Sequence, residues 1–127
     1  MNARGCGPDE VRAMLAPLES DKTDTGAGKY SVESMIQRGQ CFVVGGDTGQ
    51  VAAYVLQAQG PELWVMAAAG GEQGTCVTTA LTALIEAQAR AHGFASVGFQ
   101  TKRRGLVRKA EKLGYEVAGY IMRKKIK

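Results

Sequence analysis

The stretch GEQGTCVTTAL, residues 71–81, runs a glycine-bearing polar turn straight into an apolar, helical pattern. Such a turn can aim successive backbone N–H groups at an anion, and the dipole of the helix that follows favours the negative charge. Glycine allows the close approach, since a Cβ would stand between the amides and a phosphate oxygen. The chemistry on offer is capture of a cofactor diphosphate; the plain alternative is an ordinary strand–turn–helix connection. Cys76 lies in the same turn, where a helix N-terminus can lower a thiol pKa. It has no histidine to act as its base, so a nucleophilic role is the weaker reading. Cys6, Cys41 and Cys76 are odd in number and far apart, and His92 is the only histidine. That set suits free thiols rather than a zinc site or a disulfide framework, so no metal is expected. His92, just before Gly93, reads as a partner for a helix C-terminus.

The elements that must position this turn can be read from periodicity. PDEVRAML opens as a helix, with Pro8 in the first turn, Asp9 and Glu10 at its positive end, and Val11, Met14 and Leu15 on one face;. Pro17 ends it, residues 20–28 form a polar loop, and Ser31 caps a short helix, SVESMIQRG;. CFVV (41–44), the turn GGDTGQ and VAAYVLQAQ (51–59) predict a hairpin, and Gly60-Pro61 turns into a third strand, ELWVMAAA (62–69);. The period then changes. Val77, Ala80, Leu81, Leu84, Ile85, Gln88 and Ala91 fall on one helical face, which Gly93 terminates;. ASVGFQ (95–100) predicts a strand, LVRKAEKLG a short helix, and YEVAGYIM (115–122) a last strand with clean alternation. The strand–helix–strand unit around Leu81 is long enough for a crossover between parallel strands. The expected class is α/β (α+β), a mixed and mainly antiparallel sheet with helices on both faces, in a single domain over residues 1–127.

Composition sets the outer bounds. A chain of 127 residues, 45% hydrophobic and 22% charged, matches an ordinary globular domain;. No apolar run approaches the ~20 residues of a membrane span, and MNARGCGPDE lacks the apolar core of a signal peptide;. A cytoplasmic protein is the expectation. The net charge of +4 hides an asymmetry, with ten Lys or Arg against two Glu in residues 101–127. Such a basic quarter can face phosphates, nucleic acid or an acidic partner. Interleaved aromatics are lacking, which favours a solvated helix face and charged tail over a nucleic-acid surface.

Over residues 41–122 the chain resembles the GNAT superfamily of N-acetyltransferases. A hairpin and third strand lead into the turn, the turn opens a helix ending at Gly93, and EKLGY (111–115) is similar to the family's closing Y-E-K-L-G-F run. The resemblance implies acetyl-CoA as cofactor and an amine as acceptor. The family's cofactor turn reads Q/R-x-x-G-x-G/A, and two registers fit it here. One starts at Gln73 and runs through Gly74, Thr75, Cys76, Val77 and Thr78, placing Cys76 and Thr78 where the family has its second and third conserved residues. The other starts at Gly71, recovers Gly74, and misplaces the helix face. The resemblance also implies a strand splayed from its neighbour, with a backbone N–H around Ala67, Ala68 or Ala69 to polarise the acyl carbonyl, and a cation such as Arg103, Arg104 or Lys102 at a CoA phosphate. Two departures touch catalysis. The tyrosine that usually protonates the leaving thiolate falls at Ala110, and the asparagine often found heading the same helix falls at Arg103. The remaining candidates are Glu62 or Glu72 as a base acting through water, with Tyr115 and Tyr120 as nearby phenols. Three functions follow as expectations: an N-acetyltransferase of weak activity, an inactive GNAT-fold assembly or interaction module like those of some phage-encoded proteins, or a nucleic-acid-associated module using residues 102–127.

Overall fold

A computed structural model describes residues 2–15, 32–46, 49–70, 77–101 and 104–122, with 124 and 126. Pro17, the polar loop 20–28 and the Ser31 cap lie outside them. The elements are β1 (Asn2–Cys6), α1 (Pro8–Leu15), α2 (Val32–Arg38), β2 (Gln40–Gly46), β3 (Gly49–Gln59), β4 (Glu62–Gly70), α3 (Val77–Ala91), β5 (Ser96–Gly98) and α4 (Arg104–Lys112). The five strands form one sheet in the order β1-β2-β3-β4-β5, antiparallel except for the parallel β4–β5 pair.

Strand alternation explains the two layers of core. On one face Cys41 and Val43 of β2, Ala53 and Val55 of β3 and Ala67 of β4 pack with Val11 and Leu15 of α1 and Met35 and Ile36 of α2. On the other, Val44, Ala52, Tyr54, Leu56 and Leu63 pack with Leu81, Ile85 and Ala89 of α3. Helices therefore cover both faces, as the periodicity predicted. Tyr54 pins α3 to the sheet: its ring stacks on Phe42 at 5.2 Å, and its buried hydroxyl donates to Gln88 Oε1.

Helix α1 starts at Gly7, whose N–H is accepted by Glu10 Oε2 at 3.3 Å while its carbonyl accepts from the Glu10 N–H at 3.2 Å. This reciprocal arrangement satisfies donors that an open helix end leaves bare. Arg12 then joins α1 to α2 through a two-pronged bond to Glu33, at 3.0 and 3.1 Å. Helix α3 closes at Gly93, with φ +79° and the Phe94 N–H donating to the Ala89 carbonyl at 2.9 Å.

One feature answers what the sequence leaves open, whether a strand precedes the first helix, and two depart from the sequence reading. Strand β1 exists, although NARGC carries no apolar alternation; it pairs with β2 from Asn2↔Gly45 to Cys6↔Cys41. Both thiols are free, and burial pushes both upward in pKa. The hairpin strands run to Gly46 and from Gly49, so four of the six residues assigned to the turn belong to the strands. Most important, ASVGFQ is a strand only over Ser96–Gly98, and YEVAGYIM, predicted as the last strand, joins no ladder. Its alternation is real, but it has no neighbouring edge to bond.

Candidate functional site

Strand β4 positions the site. It pairs with β3 over its whole length, yet with β5 only through Glu62↔Ser96, Leu63↔Val97 and Trp64↔Gly98. Beyond Trp64, residues 65–70 continue with no ladder on the β5 side, so the two parallel strands part into a wedge. A β-bulge falls where they part. Val55 pairs with Ala67 and Leu56 with Val65, leaving Met66 as the extra residue. The bulge puts Met66 and Ala67 against the same core layer, whereas Val65 and Ala68 lie against the other. Bulges bend and twist a strand and commonly re-aim groups beside a functional site. Here the bent segment is Ala67, Ala68 and Ala69, the first buried and the other two half-buried.

Close packing fixes the bulge from behind. Gly39 joins α2 to β2, its N–H donating to the Met35 carbonyl at 3.0 Å. A Cβ there would collide with Val55 Cγ1 and stand 2.9 Å from the Leu56 carbonyl oxygen and 3.0 Å from Met66 Sδ. Only glycine lets the chain cross the bulge at this distance.

Helix α3 follows β4 and leads back to the parallel β5, so its N-terminus stands at the end of the sheet where the wedge opens. Val77 and Thr78 are its first residues, and their N–H groups are among the donors a helix leaves unsatisfied. Open α/β units bind ligands at the carboxyl ends of parallel strands. The wedge and this helix end share that location. Glu72, Gln73, Gly74, Thr75, Cys76 and Arg103 lie outside the described residues.

The acid–base candidates stand elsewhere. Glu62 begins β4, at the closed end of the wedge, roughly 16 Å along the strand from Ala67 at ~3.3 Å per residue. Its carboxylate accepts from Ser96 Oγ at 3.0 Å and lies against Gly98, where a Cβ would meet it at 2.9 Å. Tyr115 follows the turn that ends α4, where its N–H and that of Leu113 donate to the Ala110 carbonyl at 3.0 and 2.9 Å and Gly114 takes φ +97°. Its hydroxyl donates to Glu86 Oε2 at 3.2 Å, and its ring meets Phe99 edge-on at 5.7 Å. Burial first, then the Glu86 carboxylate, pushes the phenol up to about 12. Glu86 sits nine residues into α3, roughly 14 Å from its start. The phenol is thus a fixed bond between α3 and the end of α4. Ala110 is buried, and Tyr120 is 90% exposed.

The bulge and Gly39 are the parts that sequence reasoning missed. The run WVMAAA is apolar throughout, so no break in alternation marks the extra residue. Among the described residues no helix is long and apolar enough to cross a membrane, and no three His, Cys, Asp or Glu side chains cluster as metal ligands would.

Comparison with solved structures places this architecture. An acetyltransferase from Bacillus subtilis in complex with CoA superposes with a TM-score of 0.71 at 17% identity, over 93% of this chain and 78% of that one. A ribosomal-protein-alanine N-acetyltransferase from Brucella melitensis biovar Abortus 2308 gives 0.69 at 12% identity, over 98% and 100%. An IAA acetyltransferase from Bacillus cereus ATCC 14579 gives 0.68 at 18%, over 93% and 78%. No family model and no curated protein matches the chain by sequence. The chain has the GNAT acetyltransferase fold, at a sequence distance that leaves its chemistry to be argued from its own residues.

Proposed function

We propose that this single-domain, cytoplasmic chain binds an acyl-CoA, acetyl-CoA in the first instance, in the wedge between β4 and β5 and transfers the acyl group to an amine. The observation that carries this reading is the coincidence of the Met66 bulge with the point where β4 and β5 part. There the N–H groups around Ala67, Ala68 and Ala69 meet an acyl carbonyl, while an extended pantetheine arm takes the place of the missing ladder. The diphosphate lies on the turn of Gln73, Gly74, Thr75 and Cys76 and on the Val77 and Thr78 amides, with Arg103 as a phosphate cation. Acetyl-CoA supplies an activated thioester. The amine nitrogen bonds to its carbonyl carbon, the C–S bond breaks, the ammonium proton leaves through water, and the thiolate takes a proton.

Hydrogen bonds to the developing oxyanion are worth about 10²–10³ in rate where they are well placed, and this chain retains the backbone that would supply them. Among the described residues no side-chain acid stands ready: Ala110 occupies that place, Tyr115 is bonded to Glu86, and Glu62 is bonded to Ser96 at the closed end. Glu72, in the turn, is the carboxylate left as a base. Slow transfer follows. The test is release of free CoA thiol when protein and acetyl-CoA are mixed with a panel of primary amines. Amine-dependent release above the uncatalysed rate supports transfer; release at the background rate, with binding intact, would reduce the protein to a CoA-binding module. The same three side-chain observations favour that second reading, an assembly module of the kind found among phage-encoded proteins.

A further inference from the structure

The chain between β1 and β2 carries α1 and α2, and it leaves and rejoins the sheet at two cysteines. Cys6 is the last residue of β1 and Cys41 the second of β2. The antiparallel register sets them directly opposite one another. Opposite residues in such a ladder have Cα atoms about 4.5 or 5.5 Å apart, according to their place in the hydrogen-bond pattern. A disulfide accepts about 4.4–6.8 Å, so either place allows the bond without moving the backbone. Opposite residues also share a face of the sheet. Here it is the face beneath α1 and α2: Cys41 lies in the core with Val11, Leu15, Met35 and Ile36, and Cys6 packs against that cluster. Both thiols are free, and the Cys41 sulfur rests 4.0 Å from the Ile36 carbonyl oxygen at the end of α2.

We propose that Cys6 and Cys41 form a reversible cross-strand disulfide when the protein meets a peroxide, and that this bond staples β1 and the α1–α2 layer to the rest of the sheet. The chemistry divides by exposure. Cys6 is half-buried and Cys41 buried, so the oxidant reaches Cys6 first. The Cys6 thiolate attacks one oxygen of hydrogen peroxide; the O–O bond breaks, leaving a sulfenic acid on Cys6 and a hydroxide ion. The Cys41 thiolate then attacks the Cys6 sulfur. The S–S bond forms, the S–O bond breaks and a second hydroxide leaves. With the two thiol protons the hydroxides make two waters, so two thiols are oxidised and one peroxide is reduced. A reducing dithiol reverses the bond by exchange.

Cysteine also serves as a small apolar residue, but the placement here is more particular than filling requires. On this face β1 offers two side chains. Arg4 turns to Glu10, and Cys6, the one that joins the core layer, meets the other thiol across the ladder. Burial, helped by the Glu10 carboxylate, pushes the Cys6 thiol up, and burial pushes Cys41 up. The reactive thiolate is therefore scarce near neutral pH, and the pair rests reduced and answers sustained oxidation rather than a brief pulse. The bond encloses residues 7–40, with α1, α2 and Gly39 inside the loop. Restricting a loop of that length in the unfolded chain is the main source of the stabilisation expected.

Hydrogen peroxide treatment of the full chain, followed by alkylation of the remaining thiols and mass spectrometry, tests the staple. The expected product is lighter by two hydrogens. Cleavage after arginine and glutamate, which separates Cys41 from Cys76, should yield a fragment bearing Cys6 joined to one bearing Cys41. The oxidised chain should melt roughly 5–15 °C above the reduced one, and dithiothreitol should return it to the lower value. Cys6→Ala removes the half-buried thiol alone. That variant should keep the wild-type circular dichroism, and its Tm should not rise with peroxide. Alkylation of both cysteines after peroxide would overturn the proposal, as would Cys6 passing on to sulfinic acid while Cys41 stays free. A Cys6–Cys41 bond that left Tm unchanged or lower would also overturn it, since the bond would then strain the sheet instead of stapling it.

Discussion

Replacing Gly39 by alanine separates the packing behind the bulge from everything else in the site. The added Cβ would collide with Val55 Cγ1, a side chain with no exposure, and would stand 2.9 Å from the Leu56 carbonyl oxygen and 3.0 Å from Met66 Sδ. The thioether can swing aside. The carbonyl belongs to a paired strand and Val55 is enclosed, so α2 or the bulge must shift. Overpacking of this kind costs about 1–3 kcal/mol. Alanine returns about 0.4–1 kcal/mol by restricting the unfolded chain, which leaves a net loss of about 1–2 kcal/mol. For a domain of this length that is a fall in Tm of roughly 3–12 °C. Calorimetric melting reads the first effect, and titration with acetyl-CoA reads the second: displacement of Met66 should weaken binding beyond the loss of folded protein. A Tm at or above wild type would refute the close-approach argument. A lowered Tm with unchanged affinity would show that the bulge does not position the donors around Ala67.

Restoring the glycines that the family turn carries, as Cys76→Gly with Thr78→Gly, should tighten acetyl-CoA binding in isothermal titration; unchanged affinity would mean that neither position faces the diphosphate. Ala110→Tyr should raise amine-dependent release of CoA thiol, and an unchanged rate in a folded variant would remove the missing acid as the reason for slow transfer. Alkaline pH should expose the two bonded phenols. Burial raises Tyr54 from 10.0 to about 12, and Tyr115 likewise. A raised folded pKa stabilises fully below pH 10 and is lost as pH climbs through 12, so urea midpoints should fall across that window. The fully buried Tyr54 accounts for a few kcal/mol of this;, and Tyr54→Phe should flatten the decline. Identical pH dependence in the variant would contradict the assignment.

How much of this was legible beforehand depends on the kind of signal. The crossover helix was, because Leu81, Leu84 and Ile85 repeat at helical spacing and face one core layer, although Ala89 closes that face where the periodicity placed Ala91, which is exposed. Both helical layers followed from the same logic. β1 was not, since NARGC has no alternation and is held by its ladder to β2 alone. The segment 115–122 misled in the opposite direction: alternation reports which faces suit burial, but a strand also needs an edge to pair with, and that edge lies outside local sequence. The wedge was anticipated only through the resemblance. The bulge that opens it could not be, because Trp64, Val65, Met66 and Ala67 are all apolar and no period breaks where the extra residue enters. Glu62 and Tyr115 were singled out by residue type and neighbourhood in sequence, and bonds to Ser96 and Glu86 give each a structural partner instead.

The most direct test of the central claim is calorimetric titration of the full chain with acetyl-CoA, paired with thermal unfolding. The account predicts saturable binding at one site per chain. At a hundred times the dissociation constant the ligand should add about 2.7 kcal/mol of stability, a rise of several degrees in Tm. No heat and no shift at millimolar ligand would contradict it, and the parting of β4 from β5 would then be a feature of the fold without a ligand to fill it.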